Sequence, residues 1–412
     1  MIKIEKLIPG GMALSALPDG KKIFLWNALP GEEVTDYEVT KNKSHFIEAI
    51  AKEIKNPSPH RCAPKDPCFL STSPWQIMDY QYELEQKQAL IVEIFRSQQI
   101  SILEPEIITD YKDYFYRNKM EYALYWDHAK NQISLAFHAR GSHRKIPIEH
   151  SSIERPEIFK RAIEIVEELN RNHDEARKYQ SLLLRCDQNG KVSGGLYEKH
   201  QPHPNFDNLT DTILGREYSY SPNGFFQINL PVYEMALQEI KKHIETDEVL
   251  DLYAGVGTIG LSVAPAHTFT LVEVDKSAYN EMAKNITIED SPEPGKARIS
   301  AGHPWRRDGR TRVLNGNIFA ILAKSEESLS FINSDQTVIV DPPRAGLDTK
   351  LVEHLIKVRP KTIIYLSCNP ITQARDIKQL LDVYKIKCVK TFNFFPHTPH
   401  IENLVVLSLN PC

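Results

Sequence analysis

The stretch EVLDLYAGVGTIGLSVA, residues 248–264, decides the fold of the larger part of this chain. It opens with an apolar run typical of a buried strand, and a glycine-rich turn and a helical pattern follow directly. The spacing Gly255-x-Gly257-x-x-Gly260 is typical of a turn that lets the backbone approach a bound nucleotide. Strand–helix units continue towards the C-terminus. This alternation predicts a parallel sheet with helices on its faces, a Rossmann-like α/β domain.

Two acidic residues indicate which cofactor the turn serves. Asp251 precedes Gly255 by four residues, where a carboxylate would oppose an anionic pyrophosphate but would suit a sulfonium and an α-amino group. Glu273, in LVEVD (271–275), ends the next apolar strand, where a carboxylate can reach both ribose hydroxyls. Together they favour S-adenosylmethionine over a nicotinamide dinucleotide. A glycine turn without any ligand remains the alternative.

Three later segments carry groups that could do chemistry. Asp341 ends the strand of TVIVDPPRAGL (337–347), and Cys368 ends that of IIYLSCNP (363–370). Because the carboxyl ends of parallel strands form one crevice, we expect this thiol and this carboxylate to share it. Glu402 stands just before the last apolar strand and could act as a base. Taken singly, Cys368 is better interpreted as a small buried hydrophobe, and Glu402 as a surface acid at the entry to a strand.

The rest of the chain indicates further domains and a polyanionic partner. Residues 1–56 contain short β-rich runs between Pro-Gly and Asp-Gly turns, which predicts a small β-barrel. Apolar spacing predicts a helix in 76–97, and the charged stretch 155–185 also has a helical pattern. Residues 108–150 alternate like strands, and 286–316 form an irregular insertion. The net charge of −4 does not exclude nucleic acid, because phosphates respond to local basic stretches such as YRNKMEY and FHARGSHRK.

Composition excludes several classes of protein. Hydrophobic residues make up 41% of the 412 positions and charged residues 25%, as in ordinary globular proteins. We find no apolar run of about 18 residues and no apolar core of a signal peptide at the N-terminus, so we expect no membrane association. The chain has six cysteines, too few for a disulfide framework at this length. These features predict a cytoplasmic protein, which we expect to be a monomer.

The motifs together resemble the RNA 5-methyluridine (uracil-C5) methyltransferases. The matching segments occur in the family's order: NGFFQIN (223–229), DLYAGVGT (251–258), VEVD (272–275), DPPRAGL (341–347), SCNP (367–370) and FPHTPHIE (395–402). Residues 1–56, with ALPGEEV (28–34), resemble the TRAM β-barrel that many members carry. YRNKMEY and FHARGSHRKIPI resemble the family's RNA-contacting central domain.

The resemblance implies three domains. Residues 1–56 would form the barrel, residues 57–80 and 108–215 a small α+β central domain, and residues 81–107 and 216–412 the S-adenosylmethionine-dependent catalytic domain. It further implies that Cys368 adds to C6 of uracil and that Glu402 removes the C5 proton.

The resemblance also implies roles in binding. Asp341 and Arg344 would address the uracil, and Phe225 would stack on a base or belong to the core. Residues implied at the cofactor are Gln227, Tyr253, Thr258, Glu273, Asn317 and Asp341.

One departure from the family concerns an iron–sulfur cluster. Many members hold it with four cysteines, and Cys62 and Cys68 match the first two. Ser71 and Ser151 stand at the other two positions, and nothing in the sequence brings Cys186 close. Such clusters use four Cys ligands, so we predict that no cluster and no other metal is bound.

The sequence indicates the reaction more clearly than it indicates the RNA target. Because a barrel adds binding surface, ribosomal RNA (23S rRNA) is favoured over the T-loop uridine of tRNA. Two other classes remain as alternatives: a non-catalytic RNA-binding factor, and a methyltransferase for a base amino group or a small molecule. In the latter class the Cys368–Glu402 pair would have no role.

Overall fold

The computed structural model describes residues 1–199, 201, 204–263, 268–289, 312–315 and 318–410. Across these residues the chain forms an N-terminal β-rich unit, a central sheet backed by a helix, and a large mixed sheet with helices on its faces. The predicted α/β fold class, with a Rossmann-like domain, an N-terminal β-rich unit and a central α+β unit, is confirmed.

Within residues 1–56, all of them described, six strands form one sheet in the order β1-β5-β6-β4-β3-β2. Only Ile4 and Glu5 separate β1 from β2, yet these strands lie at opposite ends of that order, so the sheet must curl until its ends meet. The Ile4 N–H donates to the Glu32 carbonyl and the Glu5 N–H to the Leu14 carbonyl across this junction. The strands are β1 Ile2–Lys3, β2 Lys6–Leu7, β3 Ala13–Ala16, β4 Lys22–Trp26, β5 Glu33–Asn42 and β6 Phe46–Asn56.

Two helices and a short strand follow the barrel. They are α1 Phe69–Thr72, α2 Tyr80–Ser97 and β7 Ile107–Ile108. The Asp79 carboxylate caps α2 by accepting from the Tyr82 N–H, so the helix begins four residues later than the apolar spacing indicated.

The central unit is a five-stranded antiparallel sheet, in the order β10-β9-β8-β11-β12, within residues 119–198. Its elements are β8 Lys119–Asp127, β9 Gln132–His138, β10 Lys145–Pro147, α3 Pro156–Arg171, α4 His173–Ala176, β11 Tyr179–Cys186 and β12 Val192–Glu198. The expectation that 155–185 is helical is wrong for its last part. Residues 182–186 are buried in the middle of the sheet, where backbone pairing outweighs their charged flanks.

The large sheet runs β17-β18-β16-β15-β19-β20-β22-β21-β7 over the described residues. The strands of the run β18-β16-β15-β19-β20 are parallel. Strand β22 is antiparallel to β20, and β21 is antiparallel to β22. Its remaining strands and the preceding hairpin are β13 Leu209–Ile213, β14 Arg216–Tyr220, β15 Glu248–Leu252, β16 Thr268–Glu273, β17 Arg312–Asn315, β18 Ile318–Leu322, β19 Thr337–Val340, β20 Thr362–Ser367, β21 Tyr384–Phe392 and β22 Glu402–Leu409.

Helices connect the strands of the large sheet. They are α5 Leu230–Lys242, α6 Thr258–Val263, α7 Lys276–Glu289, α8 Ser325–Ser328, α9 Thr349–Val358 and α10 Pro370–Leu380. The predicted irregular insertion 286–316 is regular at both ends, because α7 extends to Glu289 and Arg312–Asn315 pairs with β18. Residues 290–311 lie outside the described residues.

One apolar core joins the barrel to the large sheet. Leu25 and Ala49 of the barrel, Ile91 of α2 and Ile363 of β20 belong to the same buried cluster. The barrel is therefore packed on the sheet through α2 instead of hanging on a linker. The exact domain boundaries stay a prediction. No helix among the described residues has the length and apolarity that a membrane crossing requires.

Candidate active site

A cavity of about 330 Å³ opens where the parallel strands end. It brings together six of the predicted site residues, namely Phe225, Gln227, Tyr253, Thr258, Glu273 and Asp341. Phe225 is 77% exposed, so it is not the core aromatic that was the alternative. Gln227 lies just before α5 and is held through its carbonyl, which accepts from Asn118 and Arg185. Residues from separate sequence motifs thus line one cavity.

The glycine turn is closed by Glu273. Its carboxylate accepts from the Gly255 N–H at 2.8 Å and from the N–H groups of Val274 and Asp275 at 2.7 Å. Gly255 and Gly257 have φ values of +58° and +87°, which side-chain-bearing residues rarely adopt. A carboxylate offers about four acceptor positions, so Glu273 keeps capacity for a further donor in the cavity.

Asp251 does not face the cavity, which corrects the expectation that its carboxylate meets the cofactor. It is fully buried, and one oxygen accepts from the Gly260 N–H at 3.0 Å, near the beginning of α6. Burial raises the pKa of Asp251 well above its ordinary value. This hydrogen bond joins β15 to the following helix, while the other carboxylate oxygen is buried without a hydrogen-bond partner.

Other carboxylates give the cavity its negative character. Besides Glu273 and Asp341, Asp275 and Glu281 line it. Asp275 also accepts from the Ala278 N–H and so caps α7, while Glu281 accepts from the Ser221 N–H. Four acids around one cavity fit a cofactor that carries a sulfonium and an α-amino group. The sequence analysis missed Asp275 and Glu281, although Asp275 directly follows the VEV strand end.

Asn317 lies outside the described residues. The strand that follows it runs parallel to β16, with Ile318 opposite Phe269 and Leu322 opposite Glu273. The end of β18 that reaches the cavity edge is therefore Leu322–Ala323, and the Ala323 N–H donates to the Glu273 carbonyl at 3.0 Å. A smaller cavity of about 120 Å³ beside Tyr253 is lined by Val274, Ala323 and Ser325, which the sequence analysis did not single out.

Cys368 and Glu402 meet because two antiparallel strands end together. In the pairing of β20 with β22, Ser367 lies opposite Asn403. Cys368 is the next residue after β20 and Glu402 is the first residue of β22, so both lie at this end of the pair, where the charge of Glu402 acts on the thiol. Asp341 follows β19, the parallel neighbour of β20, and completes the cluster.

The loop after Cys368 holds the DPPR loop in place. Asn369 caps α10 by accepting from the Ile371 N–H, and its amide donates to the Arg344 carbonyl at 2.8 Å. The Thr372 hydroxyl donates to the same carbonyl at 3.2 Å. Asn369-Pro370 thus both ends the strand and fixes Arg344 beside a cavity of about 260 Å³ that also contains Cys368 and His400.

The cluster is strongly desolvated. Burial, then the charges of Glu402 and Asp341, raise the pKa of the Cys368 thiol to about 11, although Arg344 opposes this rise. Burial and then Asp341 raise the pKa of Glu402, which is 3% exposed, well above its ordinary value. Burial also raises the pKa of Asp341 to about 7. Protons are therefore retained here near neutral pH, and Arg344 is the group that favours the thiolate.

A buried ion pair on α2 supports the segment that leads to Glu402. Lys87 is fully buried, and its ammonium lies 2.7 Å from Glu83, 2.6 Å from the Asn393 side-chain oxygen and 3.1 Å from the Phe395 carbonyl. The other Glu83 oxygen accepts from the His397 N–H at 2.8 Å. Sequence reasoning missed this pair, whose signal is a Lys between Leu84 and Leu90 on the apolar face of a helix.

The barrel touches the same segment. A Cβ on Gly11 would lie 2.4 Å from Cβ of Pro399, so glycine is needed for this close approach. The Trp75 indole donates to the Gly11 carbonyl at 3.0 Å, and the Trp75 N–H donates to the His397 carbonyl at 3.0 Å. Pro9 and Gly10 line the cavity beside Cys368. The barrel therefore forms part of the wall of the site.

Positive charge surrounds the mouth of the Cys368 cavity. Burial of the ring, then the charges of Arg344, Lys87, Arg117 and Arg140, lower the pKa of His400 to about 4, although its side chain still reaches solvent. Arg140 stacks on Trp26 of the barrel, with 4.2 Å between the guanidinium and the ring centroid. Arginines from three parts of the chain thus act on His400, which lines the same cavity as the thiol, and this positive charge suits a polyanionic ligand.

The four positions considered for an iron–sulfur cluster do not form a thiolate set. Cys68 is buried and Cys62 is exposed, while the hydroxyls of Ser71 and Ser151 are buried without a hydrogen-bond partner. Cys186 packs in the apolar cluster that contains Cys68, and its thiol donates to the Asp187 carbonyl. These side chains do not provide the four thiolates of an iron–sulfur cluster. That the protein binds no such cluster stays a prediction.

Comparisons with known proteins agree on one family. The model of the tRNA (uracil-5-)-methyltransferase family matches residues 207–410. Curated relatives named as uncharacterized RNA methyltransferases include one from Nanoarchaeum equitans, 29% identical over 94% of this chain and 89% of the relative. Another, from Treponema denticola, is 28% identical over 100% of this chain and 99% of the relative.

A solved structure shares the whole fold. The tRNA (uracil-54, C5)-methyltransferase of Pyrococcus abyssi, in complex with S-adenosyl-L-homocysteine, superimposes with a TM-score of 0.74. The two proteins are 23% identical, and the match covers 99% of this chain and 100% of the other.

Replacing the buried lysine will destabilise the segment before Glu402. We expect Lys87→Met to lower the free energy of unfolding by about 3–5 kcal/mol, because it leaves the Glu83 carboxylate buried and unpaired. Glu83→Gln added to Lys87→Met should recover part of this loss. Urea unfolding measures both, and hydrogen exchange at the His397 amide should quicken. Glu85→Gln, an exposed acid on the same helix, is the matched control, and an equal loss in it would contradict the prediction.

The thiol will react slowly at neutral pH. With a pKa of about 11, the rate of Cys368 alkylation by iodoacetamide should rise about tenfold per pH unit from pH 7 to beyond pH 9, because the thiolate is the reactive form. Glu402→Gln removes a negative neighbour and should shift this profile to lower pH. Peptide mass spectrometry follows Cys368 separately from the exposed Cys62. A plateau in the wild-type rate below pH 9 would show that the thiol is not perturbed.

Proposed function

The chain is a member of the RNA uracil-C5 methyltransferase family, an S-adenosylmethionine-dependent enzyme, and we propose that Cys368 and Glu402 carry out its reaction. The product would be 5-methyluridine in RNA. The observation that supports the proposal is the register of β20 and β22, in which Ser367 lies opposite Asn403, with Cys368 and Glu402 the adjacent residues at the same end of the pair. Asp341 lies beside both and also lines the larger cavity, so it links the cofactor side to the uracil side.

The proposed chemistry begins with the uracil ring. The thiolate of Cys368 adds to C6, the 5,6 double bond opens, and the electron pair moves to C5 and the O4 carbonyl as an enolate. S-adenosylmethionine would supply the methyl group: C5 would form its new bond to that carbon as the S–CH3 bond breaks, and S-adenosylhomocysteine would leave with the electron pair on its sulfur. Glu402 then takes the C5 proton, the electron pair of that C–H bond restores the double bond, and the C6–sulfur bond breaks. Covalent catalysis of this kind replaces one difficult step with easier ones.

Protonation of the cluster constrains this sequence. A thiol with a pKa of about 11 is mostly protonated at pH 7, so it must lose its proton when the substrate binds. Arg344 is the residue that favours the thiolate, and it could also bind the developing oxyanion. The raised pKa of Glu402 makes it a stronger base towards a C–H bond once it is ionised.

The lining of the cavities supports an assignment of cofactor contacts. Glu273 would hold the ribose, Tyr253 would lie by the adenosine, and Gln227 with Asp341 would be near the methionine end. Thr258 contributes to the same wall. Asn317 is retained as a candidate only from the resemblance, because the strand end beside Glu273 is formed by Leu322 and Ala323.

The mouth of the Cys368 cavity supports RNA binding. Arg117, Arg140 and Arg344 could contact phosphates, and the exposed ring of Phe225 could stack on a base. Because C5 and C6 are hidden in a stacked helix, the target uridine would be flipped out or lie in a loop. A cytoplasmic monomer is the state that we propose for the enzyme.

For the target we favour a uridine in ribosomal RNA, because the barrel enlarges the binding surface next to the thiol. The T-loop uridine of tRNA is the second candidate. It is favoured by the similarity to the Pyrococcus abyssi enzyme, whose name describes tRNA uracil-54 as its substrate.

Two substitutions test the chemistry. Cys368→Ala should abolish transfer of labelled methyl groups to RNA uracil, because no nucleophile activates C5. Glu402→Gln should slow turnover by about 10²–10⁴-fold and should accumulate a covalent protein–RNA complex on denaturing gels, since elimination needs the C5 proton removed. Cys62→Ser, at an exposed cysteine, should behave as wild type. Methylation by Cys368→Ala at the wild-type rate would refute the covalent route.

A deletion strain identifies the target. We expect that ribosomal RNA from this strain lacks 5-methyluridine at one or more positions, and that mass spectrometry of nuclease fragments locates them. The modification should return with wild-type protein but not with Cys368→Ala. Loss from tRNA alone would instead establish the second candidate.

A further inference from the structure

Three donor side chains converge on the side of the large sheet that carries α5. Glu239 and His243 come from the last turn of α5 and the residue after it, and Cys388 comes from the middle of β21. One donor atom from each lies within 4.8 Å of the others. None of the three lines the cavities of the active site, and Cys388 is about 13 Å along β21 from its end at Phe392.

In contrast to the expectation from the sequence that no metal is bound, we propose that Glu239, His243 and Cys388 bind a zinc-class divalent metal ion. The His243 Nε2 atom and Oε1 of Glu239 are hydrogen-bonded at 3.2 Å, and a metal ion between them would replace this hydrogen bond. Zinc–nitrogen and zinc–oxygen bonds of about 2.0–2.2 Å at a tetrahedral angle separate two such donors by about 3.3 Å. A Cys, His and carboxylate set is the mixture of ligands that zinc prefers, and the spacing of Glu239 and His243 puts both on one helix face.

Local backbone structure aims the sulfur at this pair. The register of β21 against β22 shifts between Ile386 and Cys388, which is a bulge that redirects the following side chain. Cys388 packs on the apolar cluster beneath α5. His243 and Cys388 are only half-buried, so a water molecule can complete a four-coordinate site.

Three lysines lie near the sulfur, and each has its own carboxylate. Lys242 binds Oε2 of Glu239 at 2.7 Å and leaves Oε1 for the metal. Lys387 pairs with Glu245 and Lys390 pairs with Glu106, each at 2.6 Å. The charges of Lys387 and Lys390 are thus matched by carboxylates outside the site, whereas Lys242 would share Glu239 with the metal. Binding would replace the thiol proton of Cys388 by a metal–sulfur bond and release that proton to the solvent.

A bound metal would clamp α5 to β21. Both elements lead to the active site, because α5 follows Gln227 and β21 precedes the segment that carries Glu402. The metal would touch neither cavity, so its effect would be on stability and would not alter the chemistry of the cleft. Any ligand that binds the folded state alone raises its stability by mass action.

Cobalt(II) titration of the metal-free full-length chain tests the site. The probe is cobalt(II) alone, added to protein in which Cys62 and Cys412 are replaced by serine, because other thiols could also bind it. We expect one equivalent to bind, with thiolate-to-cobalt charge-transfer absorption, release of about one proton per metal, and displacement by zinc. Zinc should also raise the midpoint of thermal unfolding.

Substitutions locate the binding. Cys388→Ser should remove the charge-transfer band, and His243→Gln and Glu239→Gln should each weaken cobalt binding at least tenfold. Lys387→Gln, beside the site but without a donor role, is the matched control and should bind cobalt as the parent does. Absence of the band in the folded parent, or its persistence in Cys388→Ser, would overturn the proposal. Circular dichroism of each variant verifies that it is folded.

Discussion

The ion pair between Lys87 and Glu83 is the interaction on which the active site depends. Both groups are fully buried, and between them they bind the Asn393 side chain, the Phe395 carbonyl and the His397 N–H. Such a pair costs much desolvation energy, and its hydrogen bonds to the backbone repay that cost with a defined geometry. The segment it holds has no regular structure until β22 begins at Glu402. This support fixes the segment that runs from β21 to β22, while Glu402 itself is paired with Phe392 at the beginning of β22.

Crowded negative charge is the second constraint on the site. Asp341, Glu402 and the Cys368 thiolate cannot all be ionised in a desolvated cluster, so protons are retained until a positive group compensates. Arg344 provides one such charge. A sulfonium in the cavity that Asp341 lines would provide another. This arrangement would link the reactivity of the nucleophile to the presence of the cofactor and would limit reaction of the thiol with other electrophiles.

Particular residues show how far sequence reasoning reached. Cys368 and Asp341 were expected to share a crevice because the carboxyl ends of parallel strands converge, whereas Glu402 was selected from its place before the last strand and from the family resemblance. Asp251 was placed wrongly, because a carboxylate at a strand end can turn into the following helix, where it accepts from the Gly260 N–H. Lys87 was missed, although it stands on the apolar face of α2 with Glu83 one turn before it, and its contact with Asn393, 306 residues away, is visible only in the folded chain.

By itself, the sequence determined the strand–turn–helix order, the class of cofactor and the thiol and carboxylates at the strand ends. These features are local, because periodicity and glycine spacing act within a few residues. Only the tertiary structure decided that Gly11 of the barrel packs on Pro399 and that arginines from three parts of the chain surround His400. Those contacts join residues that lie far apart in the chain. They are set by the packing of the shared apolar core, which no local sequence pattern reveals.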